Sequence, residues 1–125
     1  MSFIIALDYD GTIFEGTWPE LGSPKKDVIK KIKELKKHGA EIILWTCREG
    51  KSLQEAISRC NKEGLEFDSI NENCPSQKEI QYKTLKEDGD IYAIHKIYAD
   101  LYVDDKSPGS IDYLLSLKIS DIKNN

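Results

Sequence analysis

The chain has 125 residues, of which 39% are hydrophobic and 32% charged, and its formal net charge is −4. This length predicts a single domain over residues 1–125, with the composition of a soluble globular protein. The negative charge argues against a broad nucleic-acid-binding surface, and no apolar run is long enough to span a membrane. The three cysteines lack metal-ligand spacing and the N-terminus lacks a signal-peptide pattern, so we expect a cytoplasmic protein with free thiols.

The first apolar run ends in two aspartates. Residues 4–7 are all apolar and predict a strand that is buried on both faces. Asp8 and Asp10 follow at a spacing of two residues, and then come Gly11, which permits a turn, and Thr12. In open α/β sheets, ligands bind at the carboxyl ends of the strands. Two carboxylates there repel each other, so a cation is expected between them, and oxygen ligands suit magnesium. The alternative is a turn in which Asp and Gly serve only the backbone geometry.

Next in the chain comes a loop and then a helix. Residues 13–22 include Phe14 and Trp18, and they predict either a small loop over the site or aromatic groups that seal the core. A helix is predicted to begin at Ser23 and Pro24, as cap and first helical residue, and to end at Gly39.

The remaining chain alternates between short apolar runs and helical patterns. We predict strands over residues 41–46, 65–70 and 99–103, the first ending at Thr46 and the last followed by Asp104 and Asp105. We predict a helix capped by Ser52, with Glu55 completing a capping box, that stops at Gly64. Further predictions are a helix over residues 77–87 capped by Ser76, a turn at 88–90, a last helix capped by Ser110, and a frayed tail at 121–125.

This alternation predicts a Rossmann-like three-layer α/β/α sandwich with a mainly parallel sheet. Three of its strands would then end at the same edge of the sheet, with acidic or hydroxyl side chains at each end. The residues that this places together are Asp8, Asp10, Thr46, Asp104 and Asp105.

In their order along the chain, these residues resemble the haloacid dehalogenase (HAD) superfamily of phosphatases. Asp8-x-Asp10-Gly-Thr resembles motif I, Thr46 motif II, and the acidic pair at 104–105 motif IV. Lys96 before that pair is similar to the deoxyribonucleotidase-like branch. The resemblance covers nearly the whole chain and implies a HAD-like fold, and the gaps between the motifs leave no room for a substantial cap domain.

The resemblance implies a magnesium-dependent phosphomonoester hydrolase. In this family the residue at Asp8 is the nucleophile that forms an aspartyl-phosphate, and the residue at Asp10 is the general acid/base. Thr46 and Lys96 would bind the phosphate. Magnesium would be held by the Asp8 carboxylate, the Asp10 backbone carbonyl and one or both acids of the pair at 104–105, of which the resemblance favours Asp105 as the direct ligand.

Alternatives exist for the phosphate-binding lysine and for the substrate. Lys78 or Lys83 would replace Lys96 if Lys96 points away from the site. Because a capless site is open, Trp18 and Arg48 are expected to select the substrate. A small phosphorylated molecule is the expected substrate; a nucleic-acid or protein substrate is possible but not indicated.

Two other functions compete with the hydrolase. A receiver-like signalling module also uses acids, a Thr, a Lys and an aspartyl-phosphate, but its adjacent acidic pair follows the first strand, whereas here that pair comes last. A catalytically silent HAD-like binding domain would keep the fold alone, but the presence of all the motif residues weighs against it.

Overall fold

The computed structural model describes residues 2–16, 22–80 and 96–123. Within them the chain forms a four-stranded sheet in which every pair of neighbours is parallel, in the order β3-β2-β1-β4. The strands are β1 (Ile4–Leu7), β2 (Glu41–Leu44), β3 (Ser69–Ile70) and β4 (Leu101–Val103). The helices are α1 (Lys26–Lys37), α2 (Gly50–Lys62), α3, which contains residues 75–80, α4 (Ser110–Ser116) and α5 (Ile119–Lys123). The predicted Rossmann-like α/β fold is confirmed.

Strand β1 is buried on both faces, as its apolar sequence predicts. Ile5 and Leu7 point into the larger hydrophobic cluster, with side chains from α1, α2, α4 and α5. Ile4 and Ala6 point to the other face, into a smaller cluster that includes Cys74, directly before α3, and Ile97. Burial on both faces explains why this strand has no polar residue.

The order of the strands reverses beside β1. The chain moves from β1 through α1 to β2 and through α2 to β3, always toward the same side of the sheet. It then returns to place β4 on the other side of β1. The crevice beyond the carboxyl ends of β1 and β4 is therefore the topological switch point, where open α/β sheets bind their ligands.

Helix α1 begins later than predicted. Residues before it are held against the loop that follows β1, because Phe14 forms a β-bridge with Pro24 and Lys25 N donates to Ile13 O at 2.8 Å. The first helical residue is therefore Lys26, and Ser23 is not its cap.

Helices α2 and α3 begin earlier than predicted. The Ser52 hydroxyl donates to Glu49 O at 3.0 Å from inside the first turn of α2, so it does not cap that helix. In α3 residue 75 is already helical, and the Ser76 hydroxyl lies 3.3 Å from the Glu41 carboxylate. In both places a hydroxyl that could cap a helix has a different partner.

The strands are shorter than predicted, and the C-terminal end is more ordered. β2 ends at Leu44, and the predicted third strand is reduced to two residues. Residues 119–123 form α5, because Ile122 is buried in the core, so the predicted fraying is wrong there. The turn at 88–90 and residues 81–87 lie outside the described residues. No helix in the described part is both long and apolar enough to cross a membrane.

Candidate active site

Four residues lie side by side just beyond the carboxyl ends of the four strands. The parallel register pairs Ile70 with Leu44, and Leu44 and Val103 with Leu7. The hydrogen bonding continues one step further, as Asn71 N donates to Leu44 O, Trp45 N to Leu7 O and Asp8 N to Val103 O, at 2.8–3.0 Å. We call the resulting series the edge row; in sheet order it contains Asn71, Trp45, Asp8 and Asp104.

Three carboxylates converge at one end of the edge row. One oxygen atom each of Asp8, Asp104 and Asp105 lies within 4.8 Å of the others. The sequence predicted that the acids after β1 and β4 would meet, and the direct pairing of those two strands is the reason that they do. We refer to these three side chains as the carboxylate cluster.

The turn after β1 holds Asp105 in the cluster. Gly11 has a φ of +78°, and a Cβ at this position would collide with Asp105 Oδ2. The hydroxyl of Thr12, which is fully buried, accepts a hydrogen bond from Asp105 N at 2.9 Å. The Gly-Thr of the first motif is therefore structural, since glycine makes room for the carboxylate and threonine fixes its backbone.

Asp104 is fixed by a residue whose role the sequence did not reveal. The Ser110 hydroxyl accepts from Asp104 N at 3.1 Å and donates to Asp104 O at 2.9 Å. Ser110 was predicted to cap the last helix, but Gly109 is the N-cap of α4. One carboxylate oxygen of Asp104 also accepts from Lys106 N at 2.8 Å.

The surroundings of Asp8 in the carboxylate cluster strongly raise its pKa. Burial is the largest cause that raises the pKa of Asp8, and together with the negative charges of Asp104, Asp105 and Asp10 it brings that pKa from 3.8 to about 7. Partial desolvation and a hydrogen bond with Asp104 also raise the pKa of Asp105. Burial and the nearby negative charge thus favour the protonated forms of Asp8 and Asp105.

The donor set of this cluster fits a hard divalent cation. Carboxylate oxygens are the ligands that magnesium prefers, and a cation among them would remove the repulsion that raises the pKa of Asp8. The Asp10 carboxylate is not part of the cluster, which leaves its backbone carbonyl as the predicted metal contact.

The Asp10 carboxylate is instead paired with Arg48. Arg48 Nε donates to Asp10 Oδ2 at 2.9 Å, and a terminal nitrogen donates to Asp10 Oδ1 at 2.7 Å. Arg48 is only 3% exposed, and its guanidinium lies over the Tyr9 ring at 5.0 Å. The hydrogen bond with Asp10 is the main cause that raises the pKa of Arg48. Such a bidentate, charge-assisted pair fixes both the position and the plane of the carboxylate.

A stack of aromatic rings supports this pair from below. Tyr9 stacks on Phe14 with a centroid distance of 4.9 Å. The guanidinium of Arg59, in α2, lies over the Phe14 ring at 5.1 Å from its centroid. Arg59 also donates to Gly22 O at 2.7 Å. Phe14 therefore seals the core. Trp18, the other aromatic residue in this loop and a predicted selector of substrate, lies outside the described residues.

Thr46 shares a cavity with the nucleophile candidate. The cavity has a volume of about 420 Å³, and its lining consists of Asp8, Trp45, Thr46, Cys47, Asn71 and Asp104. Thr46 is held there because its N–H donates to Asn71 Oδ1 at 2.8 Å and its hydroxyl accepts from Arg48 N at 3.1 Å. A second cavity, of about 360 Å³, is lined by Asp10, Cys47, Arg48, Glu49 and Ser52.

The structure does not join the candidate lysines to the cluster. Lys96 is exposed, and none of the hydrogen bonds or ion pairs in the described part links it to the carboxylates. Lys78 pairs with Glu72 at 2.9 Å on the surface, and Lys83 lies outside the described residues. Lys25, which was not among the predicted phosphate-binding lysines, donates to Gly11 O at 3.3 Å. The phosphate-binding role of Lys96 stays a prediction.

The chain is similar to a protein of known structure. No protein-family model matches it, and no curated protein matches it. A solved structure, described as that of a conserved protein coded by a locus from Bacteroides thetaiotaomicron, matches with 31% sequence identity and a TM-score of 0.70. The match covers 98% of this chain and 87% of that one. Identity and coverage at this level show that this chain belongs to the same family as the conserved Bacteroides thetaiotaomicron protein.

Proposed function

We propose that this protein is a magnesium-dependent phosphomonoester hydrolase with Asp8 as its nucleophile. The observation that carries the proposal is that Asp8 belongs to the carboxylate cluster and also lines the same cavity as Thr46. The proposed nucleophile, a second acid of the cluster, Asp104, and the proposed phosphate-binding residue Thr46 thus line a common cavity. Phosphoryl transfer depends mainly on such positioning and charge stabilisation.

The reaction has two balanced steps. In the first, an Asp8 carboxylate oxygen attacks phosphorus, the bond from phosphorus to the ester oxygen breaks, and that oxygen takes a proton from Asp10. In the second, a water molecule gives a proton to Asp10 and attacks phosphorus, the bond to Asp8 breaks, and inorganic phosphate leaves. A magnesium ion held by the carboxylate cluster would offset the charge of the phosphate.

Arg48 acts in this scheme as a positioning residue. Its two hydrogen bonds hold the Asp10 carboxylate in one position and one plane, from which it can exchange a proton in both steps. The Arg48 side chain is buried under Asp10, so selection of the substrate by Arg48 would act through the second cavity, whose lining includes both residues.

Thr46 would donate its hydroxyl to a phosphate oxygen, and Lys96 would supply positive charge. The substrate in this scheme is a small phosphorylated molecule, and the composition and free thiols favour a protein of the cytoplasm.

The direct test measures release of phosphate from p-nitrophenyl phosphate by the purified chain, with magnesium and with chelator. We expect activity that requires magnesium and is lost in Asp8→Asn, which removes the nucleophile at equal size. Asp112→Asn, an exposed acid on α4, is the matched control and should retain the wild-type rate.

Two results would count against the hydrolase. Full activity in Asp8→Asn would exclude the covalent mechanism, and activity that is indifferent to chelator would exclude the magnesium dependence. A phosphorylated Asp8 that persists for minutes in the presence of magnesium, without turnover, would support the receiver-like alternative instead.

A further inference from the structure

Trp45 is a large apolar side chain that lies beside the proposed nucleophile. It is 39% exposed, although its neighbours along the strand, Ile43 and Leu44, are fully buried. Trp45 belongs to the lining of the same cavity as Asp8 and Thr46. An exposed tryptophan among mainly polar lining residues offers a ligand a large, flat apolar surface.

The edge row fixes how Trp45 stands relative to Asp8. Leu7 and Leu44 are paired in register, and both point into the larger hydrophobic cluster. Since side chains alternate along a strand, the next residues of the two strands, Asp8 and Trp45, project toward the opposite side. Neighbouring strands are about 4.8 Å apart. The backbone positions that carry the indole and the proposed attacking carboxylate are therefore about one strand spacing apart.

The wall around the indole is held by backbone hydrogen bonds. Trp45 N donates to Leu7 O at 2.9 Å, which ties the residue to β1. On the far side, Asn71 N donates to Leu44 O and Asn71 Oδ1 accepts from Thr46 N, both at 2.8 Å. These contacts fix the backbone that carries the indole at the wall of the cavity.

We infer that the substrate carries a planar aromatic group that stacks on Trp45. The inference rests on the proposed function, because Asp8 fixes where the phosphate is attacked. The aromatic group must then lie within one or two strand spacings, about 5–10 Å, of the phosphorus atom. A cavity of about 420 Å³ accommodates a phosphate with such a group. Aryl phosphates and nucleoside monophosphates share this chemistry, whereas polyol phosphates lack it.

The test compares three substrates in four proteins. Values of kcat/KM are measured for phenyl phosphate, adenosine monophosphate and glycerol phosphate with the wild type, Trp45→Leu, Trp45→Phe and Tyr113→Leu. Tyr113 is 56% exposed on α4 and does not line the cavity, so it controls for loss of an exposed aromatic side chain.

For Trp45→Leu we expect the ratio of kcat/KM for an aromatic substrate to that for glycerol phosphate to fall roughly ten- to a hundredfold, the range of base–aromatic stacking. Trp45→Phe should restore much of the ratio, and Tyr113→Leu should leave it at the wild-type value. Comparing the two aromatic substrates distinguishes an aryl group from a nucleobase. An equal loss for all three substrates, or no change in the ratio, would overturn the inference.

A binding measurement separates this inference from the proposed function. In Asp8→Asn with Trp18→Phe, Trp45 is the remaining tryptophan, since the chain has two. With magnesium present, quenching of its fluorescence by phenyl phosphate or adenosine monophosphate, but not by glycerol phosphate, supports stacking even if the wild type hydrolyses none of them. Failure of hydrolysis would then count only against the proposed function. No selective quenching would overturn the aromatic platform itself.

Discussion

The pair formed by Arg48 and Asp10 shows how a side chain outside the recognised motifs shapes the site. The guanidinium is almost fully buried, stacks over Tyr9 and makes two hydrogen bonds to a single carboxylate. Arginine is suited to this position because its planar fork matches the geometry of a carboxylate, whereas lysine presents a point charge.

Arg48→Lys should therefore lower kcat by roughly 10- to 100-fold, with little change in the apparent magnesium affinity, because it disorders Asp10 and leaves the carboxylate cluster intact. Steady-state kinetics at saturating magnesium would measure this. Arg59→Lys is the matched control, since Arg59 also lies over a ring of the same stack but has a different hydrogen-bond partner. A normal kcat in Arg48→Lys would show that Asp10 does not need this partner.

The two adjacent acids after β4 are not equivalent. One oxygen of Asp104 already accepts a hydrogen bond from Lys106 N, and the backbone of Asp104 is tied to Ser110. Asp105 is held by Thr12 and faces the turn at Gly11.

We expect Asp105→Asn to weaken the apparent magnesium affinity more than Asp104→Asn does, because the family resemblance favours Asp105 as the direct ligand and Asp104 has an oxygen already engaged. Both variants should fold, as each removes one charge from a repulsive cluster. Magnesium titrations of activity measure the difference, with thermal melts in chelator as the control. If both variants kept the magnesium dependence of the wild type, the carboxylate cluster would not be the binding site of the cation.

At the scale of an element, the turn that follows β1 is what brings the ends of two strands into one site. Its glycine has a φ of +78° and lies against Asp105, so it meets both a backbone and a steric requirement. Gly39, at the end of α1, has a φ of +102° but has nothing within 4 Å of the position of a Cβ. The two glycines therefore separate the effect of backbone strain from that of a collision.

Gly11→Ala and Gly39→Ala should each lower the free energy of unfolding by at least about 1 kcal/mol, because both force alanine to a positive φ. Only Gly11→Ala should also weaken the apparent magnesium affinity, by roughly tenfold or more, since its methyl group displaces Asp105. Denaturant unfolding in chelator and magnesium titration of activity measure the two effects. An unchanged magnesium affinity in Gly11→Ala would mean that the close approach to Asp105 is not needed for the cation.

At the scale of the whole molecule, the fold concentrates negative charge at one edge of the sheet. The switch point beside β1 places three carboxylates together, and burial with the neighbouring charges raises the pKa of Asp8 to about 7. In the unfolded chain the same carboxyl group would titrate near 4. Between these two values the folded protein binds a proton that the unfolded chain has released.

Without divalent cations, the stability contributed by protonated Asp8 should therefore decrease as the pH rises from about 4 to about 7. Melting temperatures in chelator should fall over this range, and Asp8→Asn should reduce the fall because it cannot ionise. Added magnesium should stabilise the wild type more at pH 8 than at pH 5, since a cation competes with protons for the cluster. Differential scanning calorimetry tests both; a magnesium effect independent of pH would contradict the linkage.

The sequence alone determined the class of fold and the acidic residues of the site. Short uninterrupted apolar runs are typical of strands in a sheet that is covered on both faces, and helical patterns between them favour parallel strands. This is why β1, the order of the elements and the positions of Asp8 and the pair at 104–105 at strand ends could be predicted from local pattern. The first residues of the helices were harder to predict, because the hydroxyls of residues such as Ser52 and Ser76 have several possible hydrogen-bond partners.

Only the tertiary structure decided which side chains from different elements meet. The pairing of β1 with both β2 and β4 sets Asp8 between Trp45 and Asp104, and no local pattern specifies the order of strands. The partnership of Arg48 with Asp10 joins residues 38 positions apart, and Ser110 reaches back to Asp104 across a loop. Such contacts depend on how the buried faces pack together, and that packing is a property of the whole chain.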